Sequence, residues 1–245
     1  MEPIYREQFT IGDIHLDRFD RVKPSVLLYF AQEVAVKHCT ALSFGYEAMQ
    51  GRHLFWAISR QKMQITRLPK AGETITVETW PMPTTKVAYP RSTVGYDENG
   101  KELFRAISLW VLMDTDTRNM ITPGKSGIIV AGTLRGLELA APHSLVPKHL
   151  GTMCRRKVGF TELDRNGHMN NTRYLDWISD LLPSSFHKEH PVKEITLCYL
   201  SEALEGEKAD IAWELNDNTL SVDGYRVMEN ESDFHQRIFS AQVRY

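Results

Sequence analysis

A chain of 245 residues can hold one large domain or two small ones, and at that length folding buries about 70 to 75% of the unfolded surface, so no covalent staples are needed. With 42% hydrophobic and 24% charged residues the composition is globular, neither fibrous nor disordered. A formal net charge of −2 argues against nucleic-acid binding driven by bulk charge. Three cysteines, Cys39, Cys154 and Cys198, are odd in number and lack C-x-x-C spacing, which fits a reducing compartment without a disulfide framework or zinc knuckle. The first residues lack the basic-then-apolar pattern of a signal peptide, and no run approaches ~18 apolar residues, so a soluble, cytoplasmic protein is expected.

In chain order, an internal repeat organises the elements. A leading strand precedes Asp17-Arg18, after which Pro24 suits the first position of a helix expected to reach Cys39 to Ala41 and to stop before Gly45. Its apolar stripe is Leu27, Phe30, Ala31 and Val34. Extended segments follow at 55–68, 73–80, 87–96 and 103–113, punctuated by Pro69-Lys70-Ala71-Gly72 and by Asp97-Glu98-Asn99-Gly100, whose Asn-Gly is a hairpin signal. A Gly- and Pro-rich stretch, 123–150, reads as a linker between units 1–122 and 151–245.

Shifted by 147 residues, Asp17-Arg18 falls on Asp164-Arg165, and the stripe falls on Tyr174, Trp177, Ile178 and Leu181. Asn170 offers an N-cap for this second helix, with Asn171 in the place of Pro24, and Pro183 cuts it off. Strands are then expected at 194–200, 209–215, 219–228 and 234–243, with turns at Glu205-Gly206-Glu207 and Glu229-Asn230-Glu231-Ser232; Phe239, Ala241, Val243 and Tyr245 share one face of the last. Gly206 lies 134 residues after Gly72, so the second copy is thirteen residues shorter between helix and turn. The expected class is α+β: two tandem units, each a twisted antiparallel sheet around one long helix.

The chemistry concentrates in Asp164-Arg165-Asn166-Gly167-His168-Met169-Asn170-Asn171. If this stretch is extended, Asp164, Asn166 and His168 alternate onto one side. Carboxylate, carboxamide and imidazole together can hold a water and move a proton near neutral pH. The competing reading is an Asx-turn and helix cap. The first copy helps to choose between them. At its equivalent positions stand Asp17, Phe19 and Arg21, without Asn or His, and Glu202 corresponds to Leu68. One active site per chain is expected, in the second copy, with an apolar first copy free to accommodate a greasy group.

The segment Asp164-x-Asn166-Gly167-His168-Met169-Asn170-Asn171-Thr172-Arg173-Tyr174-Leu175-Asp176-Trp177 resembles the active-site segment of the acyl-acyl carrier protein thioesterases, and Phe55-Trp56-Ala57-Ile58-Ser59-Arg60 is similar to a first-copy segment of that family. The resemblance implies a double hotdog fold. It also implies hydrolysis of the thioester between a fatty acyl chain and the phosphopantetheine arm of acyl carrier protein. Carried over, Asp164, Asn166, His168 and Glu202 are the catalytic set. The bacterial branch matches better, since no plant-type transit extension precedes the chain. Plant members often carry Cys after the Glu; here Ala203 stands there, which disfavours a cysteine nucleophile. Asp164 remains either a nucleophile or an orienting group, and backbone N–H groups near Gly167 to Asn170 are the expected oxyanion donors.

Rival chemistries lack their motifs: no G-x-S-x-G elbow, no H-E-x-x-H, no Gly-rich phosphate loop. Asn170, Asn171, Trp56 and Tyr29 are the expected substrate-binding residues; Phe30, Phe55 and Met63 are read as ordinary core, with acyl-tunnel lining as the alternative. Arg155-Arg156-Lys157, with Arg60, Lys62 and Arg67, reads as a solvated edge or as a dock for acidic acyl carrier protein. No cofactor, metal, nucleic acid or membrane insertion is expected, and a homodimer is a compatible assembly. A hotdog enzyme acting on acyl-CoA and a non-catalytic acyl-thioester-binding protein are the alternative functions.

Overall fold

A computed structural model describes residues 3–148, 150–227 and 236–245. The chain divides into two compact units, 1–142 and 143–245. In the first, β1 (Tyr5–Thr10) leads into α1 (Pro24–Ala41) and a short α2 (Tyr46–Gln50). The strands β2 (Leu54–Ile65), β3 (Thr74–Pro81), β4 (Tyr89–Tyr96) and β5 (Glu102–Asp114) follow, then β6 (Met120–Ile121) and α3 (Pro123–Ser126). The antiparallel order is β1-β3-β4-β5-β2, with β6 on β5. Pro24 occupies the first helical turn, where its missing N–H leaves no backbone bond unmade. The α1 stripe is buried at Leu27, Phe30 and Val34. Phe30 stacks on Phe9 of β1 at 4.3 Å between centroids, and this contact seats the helix on the sheet.

The second unit repeats the order with β7 (Thr152–Lys157), α4 (Arg173–Ser179), α5 (Ser184–Glu189), β8 (Glu194–Tyr199), β9 (Lys208–Asn216), β10 (Thr219–Arg226) and β11 (Arg237–Arg244). Its antiparallel order is β8-β11-β10-β9-β7. The turn expected at Glu229-Asn230-Glu231-Ser232 lies outside the described residues. β9 and β10 meet through Asp217 (φ 45°) and Asn218 (φ 60°), the two positive φ values a tight primed hairpin requires.

The expected single long helix is not found in this unit. α4 has seven residues, starts at Arg173 rather than beside Asn170, and gives way to α5 after Pro183. The ring of Pro183 disfavours helical geometry at Leu182, and the chain has already left the helix at Asp180. The N-cap position falls to Thr172 instead of Asn170, whose side-chain oxygen closes an Asx turn ahead of the helix by accepting from the Thr172 N–H and hydroxyl, both at 2.9 Å. The short helix keeps its core face, with Tyr174, Trp177 and Ile178 buried and Tyr174 edge-on to Phe239 at 4.9 Å.

The two units share a further packing device. A Cβ on Gly95 would lie 2.1 Å from the Phe104 ring, and one on Gly224 would lie 2.0 Å from the Phe239 ring. Each glycine also sits at a register shift, Gly95/Tyr96 and Gly224/Tyr225. The stretch between the copies divides its contacts. Residues 123–142 pack within the first unit, where Trp80 Nε1 donates to Glu138 at 3.1 Å and Thr133 N–H to the Pro81 carbonyl at 2.8 Å. Within the second unit, Lys148 N–H donates to Asp223 at 3.2 Å and Arg237 to the Leu145 carbonyl at 3.2 Å.

Candidate active site

The loop 164–168 is a turn, and this corrects the extended alternation expected for it. The Asp164 carboxylate folds back on the chain: Oδ1 accepts from the Asn166 N–H at 2.8 Å and from the His168 N–H at 3.2 Å. Asp164 N–H donates to the His168 carbonyl at 2.7 Å, and Gly167 has φ 79°. Asp17 in the first unit does the same, with Oδ1 accepting from Phe19 N–H at 2.7 Å and Arg21 N–H at 3.1 Å, and its N–H donating to the Arg21 carbonyl at 2.7 Å. Asp20, at the place of Gly167, likewise has positive φ, 58°. The Asx-turn is therefore fold chemistry common to both copies.

What differs is where the side chains go. In the first unit Arg21 returns to Asp17 Oδ2 at 3.2 Å and lies 5.0 Å from the Phe19 ring. In the second, the corresponding His168 directs Nε2 to Glu202 Oε2 at 3.2 Å. Asp164 Oδ2 is then left without a hydrogen bond among the described residues, and so is the Asn166 carboxamide. His168 is buried, whereas the Glu202 side chain keeps 34% exposure, an arrangement in which water can reach the carboxylate and the imidazole is held.

Main-chain bonds set this pair. Met169 N–H donates to the Ala203 carbonyl at 2.8 Å, as Val22 N–H does to Pro69 at 3.1 Å. That match puts Glu202 at the position of Leu68, as the 134-residue offset requires. The expected oxyanion donors are not open. Gly167 N–H is taken by the Asp164 carbonyl, His168 N–H by Asp164 Oδ1, Met169 N–H by Ala203 and Asn170 N–H by the Glu162 carbonyl at 2.8 Å. Asn171 N–H is the first after this loop with no acceptor among the described residues. Its carbonyl is held by Tyr199 Oη at 2.9 Å. Tyr174, beneath the site, has a phenol pushed well above its ordinary pKa, by burial first and then by Glu207, Asp164 and Glu202 against the opposing pull of Arg226.

The other expected binding residues belong to the first unit. Trp56 donates Nε1 to the Phe44 carbonyl at 2.9 Å and meets Tyr89 edge-on at 5.0 Å. It lines a small, largely apolar pocket with Cys39, Trp110 and the buried Arg91. Tyr29 is half exposed on α1, while Phe30, Phe55 and Met63 are core. Of the basic cluster, Arg155 is engaged by Asp210 at 2.7 and 2.8 Å and Arg156 by Asp180 at 3.0 Å.

Sequence reasoning missed two residues that build the site. Glu162 bonds Trp177 Nε1 at 2.6 Å and Gly159 N–H at 2.8 Å, tying the loop to α4. Arg226 reaches the Glu202 carbonyl at 2.5 Å. The available signal was the pair Gly95-Tyr96-Asp97 and Gly224-Tyr225-Arg226, a shared Gly-Tyr followed by opposite charges.

Comparison with known proteins agrees with this architecture. Residues 2–123 match the acyl-ACP thioesterase N-terminal domain, and residues 147–243 match the C-terminal domain of the same family. Oleoyl-acyl carrier protein thioesterase 1 of Arabidopsis thaliana is 24% identical over 84% of this chain and 62% of its own length. A palmitoyl-acyl carrier protein thioesterase of Gossypium hirsutum is 28% identical over 81% of this chain and 52% of its own length. The chain thus spans between half and two thirds of these relatives. Two solved hotdog-type structures superpose on it with TM-scores of 0.83. One is an acyl-ACP thioesterase from Bacteroides thetaiotaomicron, 20% identical, covering 99% of this chain and 97% of that one. The other is the 12:0-ACP thioesterase from Umbellularia californica, 21% identical, covering 100% and 97%. With both family domains matched in order along the sequence, this chain belongs to the acyl-ACP thioesterase family.

Proposed function

We propose that the chain hydrolyses the thioester of a fatty acyl chain carried by acyl carrier protein, releasing the free fatty acid and the carrier's thiol. The observation that carries this reading is the His168–Glu202 pair at 3.2 Å, present in the unit where Arg21 and Leu68 have been replaced. A water beside Glu202 attacks the acyl carbon as its proton passes to the Glu202–His168 pair. The tetrahedral adduct then collapses with cleavage of the C–S bond, and the same proton returns to the departing sulfur. Asn166, with its carboxamide unengaged, holds the water. The Asn171 N–H faces the developing oxyanion. Asp164 anchors the turn through Oδ1, and its remaining oxygen orients the water instead of attacking the substrate.

The partner is the carrier-bound acyl thioester; family membership supports recognition of carrier over CoA. Arg155 and Arg156 already have carboxylate partners, which lowers the charge that their cluster can offer to a carrier. The test is replacement of His168 or Glu202 by Ala. Each should cut turnover by about a hundredfold or more while leaving folding intact, since the loop is held by Asp164 and main-chain bonds. Near-wild-type hydrolysis in either variant would overturn the assignment.

A further inference from the structure

Glu202 lies on the connection between β8 and β9, and what fixes it there is a guanidinium on another strand. Arg226, at the end of β10, donates Nη2 to the Glu202 carbonyl at 2.5 Å and Nε to Glu207 Oε2 at 3.2 Å, and Nη1 reaches Gln236 Oε1 at 2.5 Å. Glu207 Oε2 in turn accepts the Leu204 N–H at 3.1 Å. The residues on either side of Ala203 are thus tied to one ion pair, and Ala203 itself accepts from Met169 of the His168 loop. The Arg226 side chain is 20% exposed, so its guanidinium is partly shielded from water, and charge-assisted bonds gain strength with such shielding.

The first unit supplies an internal control. There Arg67, at the position of Ser201, reaches the Leu68 carbonyl at 3.4 Å and Glu73, the counterpart of Glu207, at 2.8 Å through each of two nitrogens. Asp97 stands in the place of Arg226, 3.7 Å from the same guanidinium. Both units brace the same carbonyl and the same carboxylate. In the first the cation sits on the loop itself; in the second it comes from β10, and a small serine stands next to Glu202. Moving the cation off residue 201 braces the backbone of Glu202 without setting a chain-neighbour guanidinium beside its carboxylate, which pairs with His168.

The geometry points to Arg226 as a positioning residue for this reaction: it acts through the Glu202 main chain to hold the carboxylate against His168. The inference rests on the assignment of Glu202 proposed above. A planar fork serving three acceptors cannot be reproduced by an ammonium, whereas a charge beside Glu207 can. Arg226→Lys therefore separates positioning from stability.

The experiment measures kcat, KM and thermal midpoint for Arg226→Ala and Arg226→Lys on an acyl-carrier substrate, with Glu202→Gln alongside. Expected are a kcat lowered tenfold or more in both Arg226 variants, a KM within twofold of wild type, and a thermal midpoint close to wild type in the lysine variant. A lysine variant with wild-type kcat would overturn the inference. So would an alanine variant whose loss of rate equals its loss of folded protein. If Glu202→Gln is inactive while both Arg226 variants are fully active, the positioning role alone fails; if Glu202→Gln retains wild-type turnover, the Glu202 assignment fails and the inference with it.

Discussion

Replacing Asp17 or Asp164 by alanine should destabilise the protein by similar amounts, although only one of the two lies at the proposed site. In each residue Oδ1 accepts two main-chain N–H groups, at 2.7 and 3.1 Å for Asp17 and at 2.8 and 3.2 Å for Asp164. A hydrogen bond to a charged acceptor contributes about 1 to 1.5 kcal/mol at a half-buried site, so each substitution should cost about 2 to 3 kcal/mol. Arg21 adds an ion pair to Asp17 that Asp164 lacks, worth about 0.5 kcal/mol at such exposure. Asparagine keeps an acceptor oxygen, and either Asp→Asn change should cost about 1 kcal/mol or less. Urea denaturation followed by tryptophan fluorescence measures all four variants. Turnover per folded molecule in the Asp17 variants should stay at the wild-type value. The reasoning fails if Asp164→Ala costs more than about 2 kcal/mol while Asp17→Ala costs less than about 0.5 kcal/mol, because the carboxylate would then not be shared turn chemistry.

Gly95→Ala and Gly224→Ala each drive a methyl into a phenylalanine ring and should cost about 2 to 3 kcal/mol in denaturation, with partial recovery when Phe104 or Phe239 is shortened to leucine in the same chain. The Arg67 hydrogen bonds hold the Glu73 carboxyl below its ordinary range against the opposing effect of burial. A folded pKa below the unfolded value means that the stabilisation is present above about pH 4.3 and is lost as pH falls through the folded pKa. Glu73→Gln should therefore be about 1 kcal/mol less stable than wild type at pH 7, and the gap should close in acid; a gap that persists at pH 2 would refute the ion-pair origin. In single turnover in oxygen-18 water, label should enter the fatty acid and not Asp164, as peptide mass spectrometry would show; label in the Asp164 carboxyl would make it the nucleophile.

The repeat was legible because its markers are local. Gly72 and Gly206 both need positive φ, and apolar stripes at helical spacing predict a buried face wherever the helix sits. The α4 stripe was read correctly at Tyr174, Trp177 and Ile178, yet the helix proved short, since a stripe reports burial and not length. Alternation suggested a strand for 164–168, although Asp-x-Asn-Gly is also turn chemistry; the hydrogen bonds that the Asp164 carboxylate accepts from its own loop decided the matter. The comparison of copies singled out His168 and Glu202, whereas their meeting at 3.2 Å depends on the Met169–Ala203 main-chain bond, which no local sequence signal announces. The closed N–H groups of the loop were out of reach, because Ala203 and Glu162, which occupy two of them, lie on other segments. Arg226 was hidden for the same reason: its partners become neighbours only when β10 pairs.

The central claim is that the His168–Glu202 pair hydrolyses acyl carrier thioesters, and release of free thiol measures it most directly. Wild-type protein and Glu202→Gln would each be mixed with one acyl group on carrier protein and on CoA, over several chain lengths, with a thiol-reactive dye as reporter. Catalytic release from the carrier substrate by wild type, faster than from CoA, and loss of about a hundredfold or more in folded Glu202→Gln is the predicted result. Stoichiometric binding without thiol release, or equal rates in wild type and Glu202→Gln, would contradict it.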